Sequence, residues 1–181
     1  MTNGKKIALG VSASIAIHRA LDLVSELRKL GHEVSVLMSP DAKRLISPQT
    51  FQAISLSRVY HEMWEASADM DHDHIRIAQT ADLFCLAPAT ANTLCKLAHG
   101  IVDNVLLTTA FAFEGPRVYA PAMNTRMWRR PAVAKACQLL DADGWQRVGP
   151  VSGDLACGEE GEGRLAPVSS LLDAVAHALA P

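Results

Sequence analysis

The sequence predicts an α/β fold in which helices cover both faces of a doubly wound parallel sheet. Short apolar runs alternate with segments whose apolar residues recur every three or four positions. The chain opens strand–helix–strand, which implies parallel neighbours joined by a right-handed crossover. Its 181 residues are 49% hydrophobic and 20% charged, as in one soluble globular domain. We therefore expect a single domain over residues 1–181.

The first strand–helix–strand unit has the clearest sequence pattern. "KKIALGV" (5–11) is a short apolar run that ends in small residues, which is typical of a buried strand. Segment 14–31 repeats apolar residues at helical spacing and closes at Gly31. "HEVSVLMS" (32–39) is the second strand.

The rest of the chain continues the alternation. A serine cap favours a short helix at 47–55, and Pro131 suits the first turn of a helix at 130–144. The helical pattern of 91–112 contains Gly100, which favours a break there. The remaining predicted elements are helix 71–81, strand 82–89, strand 116–123, a short strand 145–151 and helix 168–180.

Composition excludes several classes of protein. The net charge of −2 argues against a nucleic-acid surface, which needs a clustered basic footprint. No stretch is long and apolar enough to span a bilayer. "KKIALGVSASIAI" (5–17) imitates a signal peptide, but glycine and serines interrupt it and it runs into a helix pattern.

The cysteines indicate the compartment. None of the four forms a C-x-x-C pair or has zinc spacing, so we expect free thiols, no structural metal and a cytoplasmic protein. They stand at positions 85, 95, 137 and 157.

In such a sheet, ligands bind beyond the carboxyl ends of the strands. The first strand-end loop, "GVSASIA" (10–16), has small residues and hydroxyls that suit a phosphate at a helix N-terminus. Ser39 could add a hydroxyl from the next strand end. The loop lacks G-x-G-x-x-G, so a classical dinucleotide site is not supported. The alternative is an ordinary turn with a serine cap.

"MDHDHIRIA" (70–78) contains His72 and His74. Histidines two positions apart on a helix face different ways, which argues against a metal pair. A single histidine near the cleft would suit a general base. The alternative is two exposed residues at a helix start.

Two further loops follow strand ends. In "APATANTLCKLAHG" (87–100), Pro88 stops the strand and Asn92 or Thr93 caps the helix, while small residues leave room for a flat ring. The alternative is capping alone.

In "APAMNTRMW" (120–128), the methionines and tryptophan suit a core, but Asn124 lies between them. A buried amide without partners costs about 1–3 kcal/mol, which favours a ligand contact there.

The last unusual stretch is "GDLACGEEGEGRLA" (153–166), with four glycines, three glutamates and Cys157. Its composition predicts a flexible, solvated loop. Taken alone, it favours a surface turn with an incidental cysteine.

Together these motifs resemble the homo-oligomeric flavin-containing cysteine decarboxylases, in particular the branch of coenzyme A biosynthesis. The matching pieces run in family order from residue 5 to about 167, and "PAMNTRMW" fits the family signature P-x-M-N-x-x-M-W. The resemblance implies a Rossmann-like flavoprotein fold and an FMN cofactor. It also implies trimers, often grouped into dodecamers, with flavin at a subunit interface.

The resemblance assigns roles to residues by position. His74 corresponds to the catalytic histidine, and Cys157 of the A-C-G motif to a proton donor. Asn124 corresponds to the ligand of the substrate carboxylate; the other implied substrate contacts are Met127, Ala156 and Gly158. The implied cofactor-binding residues are Gly10, Ser12, Ser14, Ser39, Pro88, Ala89, Thr90, Asn92, Thr93, Asp103, Asn104 and Met123.

The implied reaction is oxidative decarboxylation of a cysteinyl carboxylate through thioaldehyde and enethiol intermediates. Cys157 favours 4′-phosphopantothenoylcysteine, converted to 4′-phosphopantetheine; in several relatives that decarboxylate a peptide's C-terminal cysteine, the A-C-G motif is missing. The glycines around Cys157 suit a flap that closes over substrate.

Departures from the family pattern leave a peptide substrate open. The first loop reads "SASIAIHR" where coenzyme A enzymes more often have T-G-S-I-A-A-Y-K, and "GRLAPV" stands where M-A-E-P is commoner. A third alternative is a flavin-binding regulatory subunit, against which His74 and Cys157 argue. An FMN prenyltransferase has a similar fold, but "PAMNTRMW" and "LACG" argue against it.

Overall fold

A six-stranded, fully parallel sheet forms the centre of the molecule, in the order β3-β2-β1-β4-β5-β6. The structure, a computed structural model, describes residues 4–63, 73–154, 158 and 160–180. The predicted fold class, an α/β parallel sheet, is confirmed. The sheet strands are β1 (Lys6–Val11), β2 (Glu33–Met38), β3 (Val59–Tyr60), β4 (Leu83–Ala89), β5 (Arg117–Pro121) and β6 (Trp145–Arg147).

Helices cover both faces of this sheet. They are α1 (His18–Lys29), α2 (Pro48–Ser55), α3 (Asp73–Thr80), α4 (Ala91–Ala98), α5 (Val105–Ala112), α6 (Thr125–Trp128), α7 (Pro131–Ala142) and α8 (Val168–Ala178). Short 3-10 turns at Ile15–Ile17 and Ala42–Arg44 follow β1 and β2. In the part of the chain that the structure describes, no helix has the length and apolar character needed to cross a membrane.

Alternate residues of the strands enter two separate cores. Ile7, Leu9 and Val11 of β1 face the core under α1 and α8, whereas Ala8 faces the core under α3, α4, α5 and α7. In the second core Trp145 lies edge-on to Phe84 and to Tyr119, with ring centroids 5.9 and 6.3 Å apart. Burial on both faces explains why these strands are continuous apolar runs.

The predicted break in segment 91–112 is confirmed. Helix α4 ends at Ala98, and Gly100 has φ +68°, a conformation that favours glycine. The segment predicted as helix 14–31 begins instead with the 3-10 turn after β1, so that α1 starts at His18.

Over residues 145–166 the prediction is confirmed only for the start of the predicted strand, which forms β6. Strand 145–151 stops at Arg147, and the stretch predicted as loop contains an antiparallel hairpin of β7 (Val151–Asp154) and β8 (Glu160–Arg164). Its residues are glycine-rich and charged, without the polar–apolar alternation by which strands are recognised. The two-residue β3 and four-residue α6 were also missed, because such short elements have no periodicity.

One buried side chain joins the loop after β1 to the end of β4 and to the first residue after that strand. The Ser12 hydroxyl donates to the Pro88 carbonyl at 2.7 Å and accepts from the Thr90 N–H at 2.9 Å. The Ser12 N–H also donates to the Pro88 carbonyl, at 3.2 Å. Ser12 is fully buried, so water cannot replace these bonds.

We therefore predict that Ser12→Ala lowers the free energy of unfolding by about 1–3 kcal/mol, the cost of leaving buried partners unsatisfied. Chemical denaturation with an unchanged m-value measures it. Ser14→Ala is the control: it removes a partly exposed hydroxyl that caps the 3-10 turn, at a cost of about 1 kcal/mol or less. Equal stability of Ser12→Ala and the unaltered chain would contradict the assignment.

Candidate functional site

A cleft of about 1600 Å³ lies at the carboxyl ends of β1, β2, β4 and β5. This is the edge at which open parallel sheets bind ligands. The loops after these four strands form its walls, and the β7–β8 hairpin with the segment that follows it forms a further wall. The predicted site residues that line it are Ser14, Ser39, Thr90, Asn92, Thr93, Asp103, Asn104, Met123, Asn124 and Met127.

Four predicted cofactor residues lie beneath the cleft instead of lining it: Gly10, Ser12, Pro88 and Ala89. All four are buried. A Cβ at Gly10 would lie 3.1 Å from Leu86 and 3.2 Å from the Phe84 ring, so a larger residue would push against the core. These residues build the floor, and Ser12 holds two of its loops together.

Hydroxyl groups line one end of the cleft. The Ser14 hydroxyl caps the 3-10 turn by accepting from the Ala16 N–H at 3.3 Å. Ser39 is held beside it because its N–H donates to the Val11 carbonyl at 3.0 Å. Serine hydroxyls near the start of a helical turn are suitable partners for a phosphate.

The cap of α4 differs from the one predicted. Thr90 is the N-cap, and its hydroxyl accepts from the Thr93 N–H at 3.3 Å. The two hydroxyls are 3.0 Å apart. Since Asn92 is not needed as a cap, its exposed amide lines the cleft.

A charged pair stands in the wall between α4 and α5. The Lys96 ammonium donates to one carboxylate oxygen of Asp103 at 2.5 Å, and the Asn104 amide donates to the other at 2.9 Å. Asn104 in turn caps α5 by accepting from the Leu107 N–H at 3.1 Å. The hydrogen bond from Lys96, and to a smaller extent the one from Asn104, holds the pKa of Asp103 below its usual range. Lys96 could not be predicted from the sequence, since one lysine on a helix has no motif of its own.

Asn124 has a structural role at the start of α6. Its side-chain oxygen caps α6 by accepting from the Arg126 N–H at 2.8 Å. The cap orients the amide at the cleft, where Asn124 is half-buried beside Met123 and Met127. The Met123 N–H donates to the Gly163 carbonyl at 2.9 Å, so this loop is fixed to β8.

The glycines of β8 allow close contact with that loop. A Cβ at Gly161 would clash with the Thr125 hydroxyl, and one at Gly163 with the Met123 carbonyl. Gly163 also has φ +137°, which L side chains rarely adopt. Positions 161 and 163 therefore require glycine because of close packing. The sequence alone suggests instead that these glycines make a flap flexible.

The remaining predicted residues are not in the described cleft. His74 is half-buried in the first turn of α3 and does not line it. Gly158 is exposed with φ +80° and does not line it either. Ala156, Cys157 and His72 lie outside the described residues.

No metal centre occurs in the described ranges, where no three His, Cys, Asp or Glu side chains come together suitably. Burial raises the pKa of Cys85 to about 12 and that of Cys137 above its usual range. Thiols of this kind remain protonated and unreactive.

The donors of this cleft fit a flavin mononucleotide. Hydroxyl and amide groups suit a phosphate and a polyol chain, as at Ser14, Ser39, Thr90 and Asn92. Apolar surface from Ala122, Met123, Leu165 and Ala166 suits a flat ring.

Proteins similar to this chain include flavoproteins, in agreement with the hydrogen-bonding groups of the cleft. The chain matches the flavoprotein family over residues 1–180. It is 43% identical to the "probable phosphopantothenoylcysteine decarboxylase" of Streptococcus mutans over 97% of this chain and 99% of that protein. It is also 43% identical to the coenzyme A biosynthesis bifunctional protein CoaBC of Bacillus subtilis, over 91% of this chain but 41% of that protein.

Solved structures with the same fold include enzymes of this type. The FMN-dependent cysteine decarboxylase SpaF superposes with a TM-score of 0.83 and 30% identity, covering 97% of this chain and 98% of that one. A mutant PPC decarboxylase complexed with pantothenoylaminoethenethiol gives 0.84 and 27%, with the same coverage. The chain therefore belongs to the flavoprotein family, and it is an enzyme of the FMN-dependent cysteine decarboxylase type within that family.

Proposed function

We propose that this protein uses FMN to convert 4′-phosphopantothenoylcysteine into 4′-phosphopantetheine and CO₂. The observation that carries the proposal is the cleft: hydroxyls, Asn92, Met123 and Asn124 converge at the end of the sheet where such folds bind ligands. The full-length similarity to the Streptococcus mutans protein supports this choice of substrate.

FMN, when bound, supplies a hydride acceptor and later a hydride donor. In our proposal Ser14, Ser39 and Asn92 hold its polar groups, and Met123 and Ala122 contribute apolar wall. The four buried floor residues act indirectly, by fixing the loops on which these side chains stand.

Asn124 binds the substrate carboxylate through hydrogen bonds from a neutral amide. A fixed positive charge would stabilise the carboxylate of the ground state and slow its departure. Because the α6 cap already occupies the side-chain oxygen, the amide N–H₂ is the group that would reach the carboxylate.

His74 acts as the base that accepts the proton of the substrate thiol when the C–S unit is oxidised to a thioaldehyde. Loss of CO₂ then leaves an enethiol, and Cys157 supplies a proton to carbon as the enethiol is reduced. The product contains no net oxidation because the hydride removed in the first step is returned.

His74 requires a second copy of the chain in this scheme, since it does not line the cleft of its own chain. We propose a homotrimer, grouped further into a dodecamer, in which α3 of one copy borders the cleft of the next. Exposed apolar side chains on α3 and α5 support such an interface: Ile75 is 38% exposed and Phe111 is 61% exposed.

The proposal is tested by incubating FMN-loaded protein with 4′-phosphopantothenoylcysteine and analysing the product by mass spectrometry. Loss of CO₂ alone supports it. No reaction with this substrate, alongside loss of CO₂ and two hydrogens from a cysteine-terminated peptide, would establish peptidyl-cysteine decarboxylation instead. A yellow protein that converts neither substrate would indicate a flavin-binding regulatory subunit.

We predict that Cys157→Ser accumulates the enethiol and leaves FMN reduced, because a hydroxyl is a far weaker acid than a thiol. Absorbance near the oxidised flavin band and mass spectrometry of the product measure the two effects. Cys95→Ser is the matched control, since Cys95 does not line the cleft and should turn over normally. Complete turnover by Cys157→Ser would remove this thiol from the mechanism.

We also predict that His74→Asn binds FMN normally but loses activity by about 10²–10⁴-fold, the usual contribution of a general base. Flavin absorbance reports binding, and CO₂ release reports turnover. His177→Asn, an exposed histidine on α8, should behave like the unaltered protein. Undiminished CO₂ release by His74→Asn would refute the assignment.

A further inference from the structure

The ion pair between Lys96 and Asp103 has no part in the scheme above, although both residues line the cleft. The pair joins α4 to the segment before α5 and is fixed by three contacts: the 2.5 Å ion pair, the 2.9 Å bond from Asn104 and the Asn104 cap of α5. An arrangement held from both sides keeps each charge at a defined place in the wall.

A second ion pair of the cleft differs in exposure. Arg19 and Asp22, 3.3 Å apart, have side chains 53% and 55% exposed, against 29% for Lys96 and 47% for Asp103. Water and salt screen exposed charges strongly. Of the two ion-paired cations, Lys96 and Arg19, Lys96 is therefore the less screened and the better placed to act on a bound group.

We infer that the Lys96–Asp103 pair sets the reduction equilibrium of the flavin bound in this cleft. This inference rests on the proposed function. Reduction adds negative charge to the flavin, which a nearby cation favours and a nearby carboxylate opposes. With the pair intact the two effects oppose each other, so the flavin can accept a hydride and also return it.

Substitution of one partner by a neutral residue leaves the charge of the other uncompensated. Lys96→Gln leaves the Asp103 carboxylate uncompensated and makes reduction less favourable. Asp103→Asn leaves the Lys96 ammonium uncompensated and makes reduction more favourable. The low pKa of Asp103 means that its carboxylate is ionised at neutral pH, so Lys96→Gln leaves a negative charge in the wall of the cleft.

The test is the midpoint potential of bound FMN, measured by equilibration with a reference dye in the holoprotein. We expect a change in the reduction equilibrium on the order of tenfold in opposite directions for the two single variants, about 30 mV each for a two-electron couple. The double variant Lys96→Gln/Asp103→Asn should return close to the wild-type potential, because no net charge is left.

Lys5 and Asp82 provide the matched control. They form the same kind of pair, with N and O 3.4 Å apart, but precede β1 and β4 at the opposite edge of the sheet and do not line the cleft. Lys5→Gln should leave the potential unchanged. Thermal unfolding of each holoprotein establishes that the variants remain folded.

The results distinguish failure of the proposed function from failure of the inference about the ion pair. A wild-type protein that takes up no FMN overturns the proposed function and this inference with it. A protein that binds FMN, and whose two single variants keep the wild-type potential or shift it in the same direction, overturns the inference alone. So does a variant that binds oxidised and reduced FMN with equally weakened affinity, because the pair would then act on binding.

Discussion

The fully buried Ser12 hydroxyl is the interaction on which the rest of the site depends. It connects the loop after β1 with the end of β4, through the Pro88 carbonyl, and with the start of the next loop, through the Thr90 N–H. Thr90 then caps α4, the helix that carries Asn92 and Lys96. The position of one cleft wall thus follows from hydrogen bonds made beneath the floor by Ser12, a residue whose motif alone indicates a contact with the cofactor.

The sequence predicts the architecture well because burial on both faces leaves a simple pattern. β4 is apolar throughout, β1 is apolar after Lys6, and β2 is apolar after Glu33 except at Ser35; each is followed by small or capping residues at the cleft. Motif order then identifies the family. The role of each side chain within a loop could not be predicted in this way. Whether a serine lines the cleft, as Ser14 does, or is buried against distant backbone, as Ser12 is, depends on contacts with a loop far away in the sequence.

The hairpin shows a second limit of sequence reasoning. Glycine at 161 and 163 is compatible with flexibility and with tight packing, and a one-dimensional pattern cannot separate the two. The clash of a Cβ at Gly163 with the Met123 carbonyl decides for packing. β8 and the loop that carries Asn124 therefore form one unit, so the Asn124 amide and the hairpin are positioned together. Lys96 was missed for a related reason, since its importance lies in a partner seven positions away that the helix geometry alone does not identify.

The central claim is that one cleft, completed by a second copy of the chain, binds FMN and the cysteinyl substrate together. A crystal structure of the FMN-loaded oligomer tests this most directly. Our account predicts flavin density against Ser14, Asn92 and Met123, with His74 of a neighbouring copy facing the same cleft. Flavin bound elsewhere, or a cleft that no neighbouring His74 approaches, would contradict it.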